Sequence, residues 1–169
     1  MTNFFSIHTI RFVVLSLIQV LLLSHINFMG YLNPYPYILF VLLFPIKNNR
    51  MLFILLSFLL GLLIDIFLDS GGIHAAACVT IAFIRPVALK YSFGALYEHQ
   101  TVKFSNADFV QRITYISILT IIHHLVLFLL EIFNFSRILL VLKHTLFASI
   151  LTIILCLLIT IIFSGTNKK

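Results

Sequence analysis

The sequence has little charge, and this shortage excludes a soluble domain. Only 9% of its 169 residues are Asp, Glu, Lys or Arg, whereas 62% are hydrophobic. A soluble domain carries about 25% charged residues, and here the charged residues stand in short gaps between long apolar runs. We therefore predict an integral membrane protein in which residues 1–169 form a single transmembrane domain.

Cysteine is scarce as well, which argues against a disulfide framework or a thiolate metal site. Cys78 and Cys156 lie inside apolar runs, far apart and without a CxxC spacing, so we predict small core residues. The first apolar run lacks small residues at the positions a signal peptidase needs, which predicts an uncleaved span. The net charge of +6 fits cytoplasmic loops better than nucleic-acid binding.

Catalytic motifs are also missing. The sequence contains no HExxH, no Gly-rich phosphate loop and no Ser-His-Asp set at a plausible shared depth. Asp65 has no second carboxylate at similar depth, as an intramembrane aspartyl enzyme would need. His123 and His124 are adjacent on a predicted helix and point about 100° apart. We predict a protein that is not an enzyme and has no cofactor and no metal site.

Six apolar segments are present, and the second is unusual. "PYPYILFVLLFPI" is short, has Pro34 and Pro36 at its start and ends at Pro45, so it either crosses the membrane or re-enters it. We predict an all-α bundle of about six transmembrane helices, or five if this segment does not cross. The predicted spans are 10–28, 35–46, 51–68, 73–89, 109–133 and 138–163.

The basic residues predict the orientation of the chain. With six spans and a cytoplasmic N-terminus, only Arg137 and Lys143 lie outside, so the C-terminus is predicted to be cytoplasmic. A five-span arrangement with an outer N-terminus changes only the side of Arg11. The basic residues on the cytoplasmic side of the six-span arrangement are Arg11, Lys47, Arg50, Arg85, Lys90, Lys103, Arg112, Lys168 and Lys169.

The longest polar stretch, "KYSFGALYEHQTVKFSNAD" (90–108), falls on the cytoplasmic side in this arrangement. Two interpretations of it stay open. It is either a solvated connector or interfacial helix, with Tyr91 and Tyr97 at the level of the lipid headgroups, or a surface on which a cytoplasmic partner docks.

The stretch "GLLIDIFLDSGGIHA" (61–75) places carboxylates in an apolar run, where a charged group is costly unless it is paired. Its tight turn predicts an antiparallel helix hairpin, and small residues on one ridge allow two helices to approach closely. One predicted ridge consists of Ser57, Gly61, Asp65 and Asp69. The facing ridge consists of Gly72, Ala76 and Thr80, and His74 begins the second helix.

Depth along the helices predicts partners for Asp65. At about 1.5 Å per residue, Lys143 and His144 lie at about the same outward depth as Asp65, and His124 lies slightly outward of the centre of its span. We predict a buried polar cluster in which Asp65 pairs with Lys143, His124 or His144. Asp69 and Glu131 are predicted to lie at the outer interface in structural roles.

The middle third of the chain resembles the MreD family of bacterial rod shape-determining proteins. The resemblance rests on a Pro-led apolar segment, a short basic turn, G-L-x-x-D, and then G-x-H-A before a helix of small residues. Pro34 or Pro36 begins the apolar segment, and Tyr35 or Tyr37 stands where that family often has an acidic residue. The other matching residues are Lys47, Arg50, Gly61, Asp65, Gly72, His74 and Ala75.

The resemblance implies a non-enzymatic component of the cell-elongation machinery in the bacterial inner membrane. It implies that the chain works with the single-span protein MreC and that the two link the MreB cytoskeleton to RodA and its transpeptidase, for peptidoglycan synthesis. The partner of the hairpin is MreC, a second copy of this chain, or both. The family is also similar in architecture to the substrate-binding components of energy-coupling-factor transporters.

Two other functions stay open. The first is a substrate-binding subunit of a vitamin-type transporter, although residues 10–29 lack the Ala or Gly face on which those components dock their energising subunit. The second is a proton-conducting channel through Asp65 and the histidines, although the repeated polar lining that a channel needs is missing.

Overall fold

The computed structural model describes residues 2–26, 33–46, 49–94, 97 and 107–165. Within these residues the chain is helical and contains no β-strand, with six α-helices. The helices are α1 (Thr2–Leu21), α2 (Leu39–Leu43), α3 (Arg50–Leu68), α4 (Ile73–Phe93), α5 (Phe109–Ile132) and α6 (Ile138–Gly165). Short 3₁₀ turns lie at Leu23–His25, Pro36–Ile38 and Phe135–Arg137.

Four of these helices, α3 to α6, are long and apolar enough to cross a membrane, and each matches one predicted span. The first predicted span, 10–28, is helical only to Leu21, and the apolar part of α1 whose side chains are described is Thr9–Leu21. Large apolar side chains such as Ile66, Phe83 and Leu139 are mostly exposed, as expected for helices that face lipid.

The long helices pack in chain order as antiparallel neighbours. The turn after Leu68 returns α4 along α3. Hydrogen bonds then link α4 to α5 antiparallel, because Arg85 contacts Tyr115 while His74 and His123 share one partner near the other end. Helices α5 and α6 pack against each other, and α1 packs against α3.

Segment 35–46, for which crossing and re-entry were both left open, is not one continuous helix but is broken into a 3₁₀ turn and the five-residue helix α2. Residues 37–42 are almost completely buried, and the segment contacts α1, α4 and α6. Irregular backbone is tolerated at membrane depth only where protein covers it. The Pro-led segment is therefore the centre of the bundle, and the long helices surround it.

The two ends of the bundle differ in their loops. One end carries the turns at 69–72 and 133–137, which we call the hairpin end. The other end carries the described residues 44–46, 49, 94 and 107–108. We call it the basic end because Arg50 and Lys90 stand next to these residues, and Lys47 and Lys103 belong to the sequence between them. Residues 47–48, 95–96, 98–106 and 166–169 lie outside the described part of the chain, so the connector or docking role predicted for 90–108 falls largely on residues outside it.

Candidate functional site

The turn between α3 and α4 is built from residues in left-handed backbone conformations. Asp69 ends α3 with a φ of 51°, and Gly71 and Gly72 follow with φ values of 66° and 94°. Glycine adopts positive φ at little cost, and Asp tolerates it better than most residues do. The sequence "DSGG" therefore reverses the chain sharply enough for α4 to return along α3, as the hairpin prediction required.

Asp65 uses its carboxylate to cap the first turn of α4. Its Oδ1 accepts hydrogen bonds from the His74 N–H at 3.0 Å and from the Ser70 hydroxyl at 2.5 Å, and its Oδ2 accepts one from the Ala75 N–H at 2.8 Å. The side chain is only 4% exposed. The first N–H groups of a helix have no partner within the helix and carry partial positive charge, so they stabilise a buried carboxylate.

Gly61 lies one helical turn before Asp65 and faces the same part of α4. A Cβ atom added to Gly61 would lie 2.5 Å from the Ala75 Cα and 2.5 Å from the His74 carbonyl oxygen. The small-residue ridge predicted on α3 is present, since Ser57, Gly61 and Asp65 are all buried. On α4 the closest contact is made by Ala75 rather than by the predicted Ala76, which is only half-buried.

The partners predicted for Asp65 are wrong. All three hydrogen-bond donors on its carboxylate come from its own hairpin. Lys143 is exposed on α6 and so is not part of a buried cluster. His144 is half-buried beside the Phe128 ring, at 5.5 Å between ring centroids. His124 is buried, but it belongs to a different group of residues.

That group, which we call the histidine cluster, consists of Tyr37, His74, His123, His124 and Thr152. Its centre is the Tyr37 hydroxyl, which lies 2.9 Å from His74 Nδ1 and 2.8 Å from His123 Nε2. The first turn of α4, the Pro-led segment and α5 are thereby joined through a single oxygen atom. The Tyr37 and His123 side chains are fully buried, and His74 is 4% exposed.

Hydrogen bonding assigns the protons in this part of the cluster. The Tyr37 hydroxyl has one proton, so it donates to one histidine and accepts from the other. His123 Nδ1 is buried without a partner among the described residues, and an unpaired N–H there would cost more than an unpaired lone pair. We therefore assign His123 Nε2–H as the donor to Tyr37, and the Tyr37 hydroxyl as the donor to His74 Nδ1.

His124 belongs to a second chain of hydrogen bonds with one fixed direction. The Tyr35 backbone N–H donates to the Thr152 hydroxyl oxygen at 3.1 Å, and the Thr152 hydroxyl lies 3.2 Å from His124 Nε2. His124 Nδ1 lies 2.8 Å from the Thr120 carbonyl oxygen, which can only accept. His124 thus carries a proton on Nδ1, and it connects α5 to α6 and to the start of the Pro-led segment.

The described residues contain no group of three or more His, Cys, Asp or Glu side chains that could hold a metal ion. The His123 and His124 rings lie side by side, 5.3 Å apart, but their hydrogen bonds go to Tyr37 and Thr152 respectively. Cys78 and Cys156 are buried and free, which confirms their prediction as core residues. Asp69 and Glu131 are exposed.

A second polar group lies at the other end of the Pro-led segment. This arginine cluster consists of Arg85, Tyr115, Phe53 and the backbone carbonyl groups of Leu42 and Phe44. Arg85 Nη2 donates to both carbonyl oxygens, at 3.2 Å for Leu42, and Arg85 Nε donates to the Tyr115 hydroxyl at 2.9 Å. The Tyr115 hydroxyl donates in turn to the Leu42 carbonyl oxygen at 2.9 Å.

Arg85 was counted with the basic residues of the cytoplasmic side, at the end of the predicted span 73–89, and the structure buries it. Its side chain is only 4% exposed, and its guanidinium carbon lies 4.9 Å from the centre of the Phe53 ring. The carbonyl groups that end α2 carry partial negative charge, which favours a cation at this place. Its position in "AFIRPVAL", inside an apolar run, was the available signal that Arg85 is buried.

A cavity of about 200 Å³ lies beside the arginine cluster at the basic end. Arg85 and Arg50 both line it, and the other lining residues are mostly apolar. The complete lining is Pro45, Ile46, Arg50, Phe53, Ala82, Arg85, Pro86, Leu89 and Tyr97.

Comparison with the models of known protein families, with curated proteins and with solved structures finds no match for this chain. What the chain does must therefore be inferred from its own residues and from the resemblance that its middle third carries.

Proposed function

We propose that this chain is a non-enzymatic scaffold of the bacterial cell-elongation machinery, in the inner membrane. On this proposal it holds an MreC-like single-span protein and, with it, RodA and its transpeptidase, and it reaches MreB directly or indirectly. A second copy of the chain is a further candidate partner. The similarity in architecture to the substrate-binding components of energy-coupling-factor transporters belongs to the same proposal.

The observation that carries this proposal is the structural role of the residues on which the MreD resemblance rests. Gly61, Asp65, Gly72, His74 and Ala75 all serve one contact, in which the start of α4 is held against α3. The His74 ring then bonds to Tyr37 in the Pro-led segment. A motif that serves to fix the relative positions of helices fits a protein whose task is to present a rigid surface.

The interior of the hairpin end supports a scaffold over a transporter subunit. The Tyr35 ring lies 5.6 Å from the His74 ring and 5.3 Å from the His124 ring, and Tyr37 packs against His74 and His123. These aromatic side chains occupy the space between α4, α5 and α6 in which a transporter subunit would hold its ligand. Ligand pockets are largely pre-formed, and here the polar groups bond to one another.

The proposed orientation places the basic end in the cytoplasm. Arg50, Lys90 and Arg112 lie at or near this end, whereas Arg137 and Lys143 lie near the hairpin end. Arg85 is buried and is therefore not counted, but the remaining basic residues are still more numerous at the basic end than at the hairpin end. The positive-inside rule then gives a cytoplasmic C-terminus, consistent with the sequence prediction.

The first experiment is to attach an affinity tag to the C-terminus, extract native membranes in mild detergent, and identify what co-purifies. We expect an MreC-like protein together with RodA or its transpeptidase. Arg137→Gln, at an exposed residue, is the control for surface changes. Recovery of a pair of ATPases with a transmembrane coupling subunit would instead assign the chain to a transporter, and recovery of none of these proteins would argue against the scaffold.

A further inference from the structure

The cavity at the basic end has the properties of an anion site, and this observation is independent of the proposed scaffold role. Two guanidinium groups line it, one on α3 and one on α4. Arg50 is exposed, and its guanidinium carbon lies 5.1 Å from the centre of the Phe83 ring, which restrains it over α4. Arg85 approaches the cavity from inside the bundle. Both cations therefore border the same space.

Arg85 is held in place but its charge is only partly compensated. Its Nε and Nη2 atoms bond to a hydroxyl and to two carbonyl oxygens, all of which are neutral groups. In the part of the chain that the structure describes, neither Arg85 nor Arg50 forms an ion pair, and the described hydrogen bonds of Arg85 use Nε and Nη2 but not Nη1. A buried cation with only dipoles around it creates a strong positive potential in a cavity with apolar walls.

The chemistry of the two arginines selects a phosphate group. Guanidinium groups are strong, charged donors to phosphate oxygens. Arg85 can contribute the N–H groups of Nη1, because its Nε and Nη2 are already bonded within the arginine cluster. The other walls, such as Pro45, Pro86 and Leu89, offer no competing carboxylate. A phosphate here would also compensate the positive charge of Arg85 without breaking the hydrogen bonds that hold the Pro-led segment.

The surroundings of the cavity indicate that this phosphate belongs to a lipid. Next to it, α3 and α4 present Met51, Phe83 and Val87, which are 76%, 62% and 69% exposed and suit contact with acyl chains. Basic pockets between transmembrane helices on the cytoplasmic side recognise anionic headgroups in this way. We propose that the cavity between Arg50 and Arg85 binds the phosphate of an anionic phospholipid headgroup.

The test uses the purified full-length chain in detergent and two short-chain probes, phosphatidylglycerol and phosphatidylcholine of the same acyl length. Binding is measured by native mass spectrometry of lipid adducts. We expect phosphatidylglycerol to bind about tenfold more tightly, and Arg50→Gln to weaken it about five- to tenfold, the loss of one charge-assisted interaction. Arg50 is exposed, so this variant avoids the folding defect that changes of Arg85 would bring.

Lys90→Gln is the matched control, because it removes one positive charge at the same end from an exposed residue that does not line the cavity. We expect it to change the affinity by less than about twofold. Equal losses for Lys90→Gln and Arg50→Gln would overturn the proposal, since they would indicate unspecific attraction to the basic end. Equal binding of the two lipids would overturn it as well.

Inorganic phosphate distinguishes the two possible sources of the anion. If the site takes a lipid, phosphate competes only weakly, because it lacks the acyl chains. Phosphate binding as tight as that of the lipid, with the same loss in Arg50→Gln, would overturn the lipid as occupant and assign a soluble anion. Glu98 follows Tyr97 in sequence, and a gain in lipid affinity of about tenfold in Glu98→Gln would instead identify the chain's own carboxylate as the partner.

Discussion

The histidine cluster and the arginine cluster lie at the two ends of the same buried segment, and they solve the problem of buried polarity in opposite ways. At the hairpin end, the charged member next to the cluster is an anion, Asp65, and the N–H groups at the start of α4 receive it. At the basic end, the charged member is a cation, Arg85, and the carbonyl groups at the end of α2 receive it.

Neither charge is compensated by the other or by any opposite charge among the described residues. Each is placed at the helix end whose partial charge is complementary, and the hydrogen bonds are made by backbone groups that would otherwise lack partners. At these two buried charges, helix ends thus take the place of ion pairs. The Pro-led segment needs hydrogen-bond partners at both of its ends, because it is too short and too irregular to pair all of its own backbone N–H and C=O groups.

We expect the arginine cluster to contribute more to stability than the histidine cluster, because a single side chain, that of Arg85, donates hydrogen bonds to two carbonyl groups and a hydroxyl. We expect Arg85→Gln to lower the free energy of unfolding by about 3–5 kcal/mol, because the buried Leu42 and Phe44 carbonyl groups lose their donor, at about 1–3 kcal/mol for each unsatisfied group. The measurement is unfolding by sodium dodecyl sulfate in mixed micelles. Arg137→Gln, at an exposed residue of the hairpin end, should change it by less than about 0.5 kcal/mol, and similar values for the two would refute the role of Arg85.

The next largest effect is expected at Gly61, where the hairpin end depends on close contact. Gly61→Ala adds a Cβ atom 2.5 Å from backbone atoms of Ala75 and His74, so α3 and α4 must separate and the Asp65 bonds must lengthen. We expect a loss of about 3 kcal/mol. Gly71→Ala is the control, because a Cβ atom at Gly71 meets nothing within 4 Å and suffers only from the φ of 66°, at about 1 kcal/mol. Equal losses would contradict the packing role of Gly61.

Asp65→Asn tests whether the carboxylate acts as a helix cap. The amide keeps one acceptor oxygen, but its NH₂ group faces a backbone N–H where Asp65 has its second oxygen. We expect a loss of about 2 kcal/mol in the same unfolding measurement. Asp69→Asn is the matched change four residues on, at an exposed position with left-handed backbone that Asn tolerates well, and it should be silent. A silent Asp65→Asn would show that the cap is unimportant.

These first predictions also indicate what the sequence could and could not reveal. The four long helices and the hairpin follow from apolar run lengths and from "DSGG", because these are local signals. The partner of Asp65 was mispredicted because depth alone was compared, and depth says nothing about which helix faces which. Arg85 was counted with the exposed cytoplasmic charges because counting charges does not separate buried from exposed arginines. The path of segment 35–46 depends on contacts with α1, α4, α5 and α6, which no local pattern encodes.

The two tyrosine hydroxyls give a direct comparison of the clusters, since both are buried and hydrogen-bonded. Tyr115 bonds to the charged Arg85 and to the Leu42 carbonyl, whereas Tyr37 bonds to two neutral histidines. Hydrogen bonds to charged groups are the stronger ones, so Tyr115→Phe should cost about 2 kcal/mol and Tyr37→Phe about 1 kcal/mol. The reverse order in unfolding experiments would contradict the comparison. Tyr35→Phe, whose described side-chain contacts are made by its ring, is the control.

The smallest effect is expected at Thr152, and it tests whether the Thr152 hydroxyl connects α6 to His124 and to the Pro-led segment. Thr152→Val keeps the shape of the side chain but leaves the Tyr35 N–H and His124 Nε2 without their partner, at a cost of about 1 kcal/mol. On the same helix the Thr145 hydroxyl is buried without a partner among the described residues. Thr145→Val should therefore be neutral or slightly stabilising, because it removes an unpaired buried polar group. If the two threonines responded alike, the Thr152 hydroxyl would be a passive core atom, and the connection from α6 to the Pro-led segment would have to rest on packing alone.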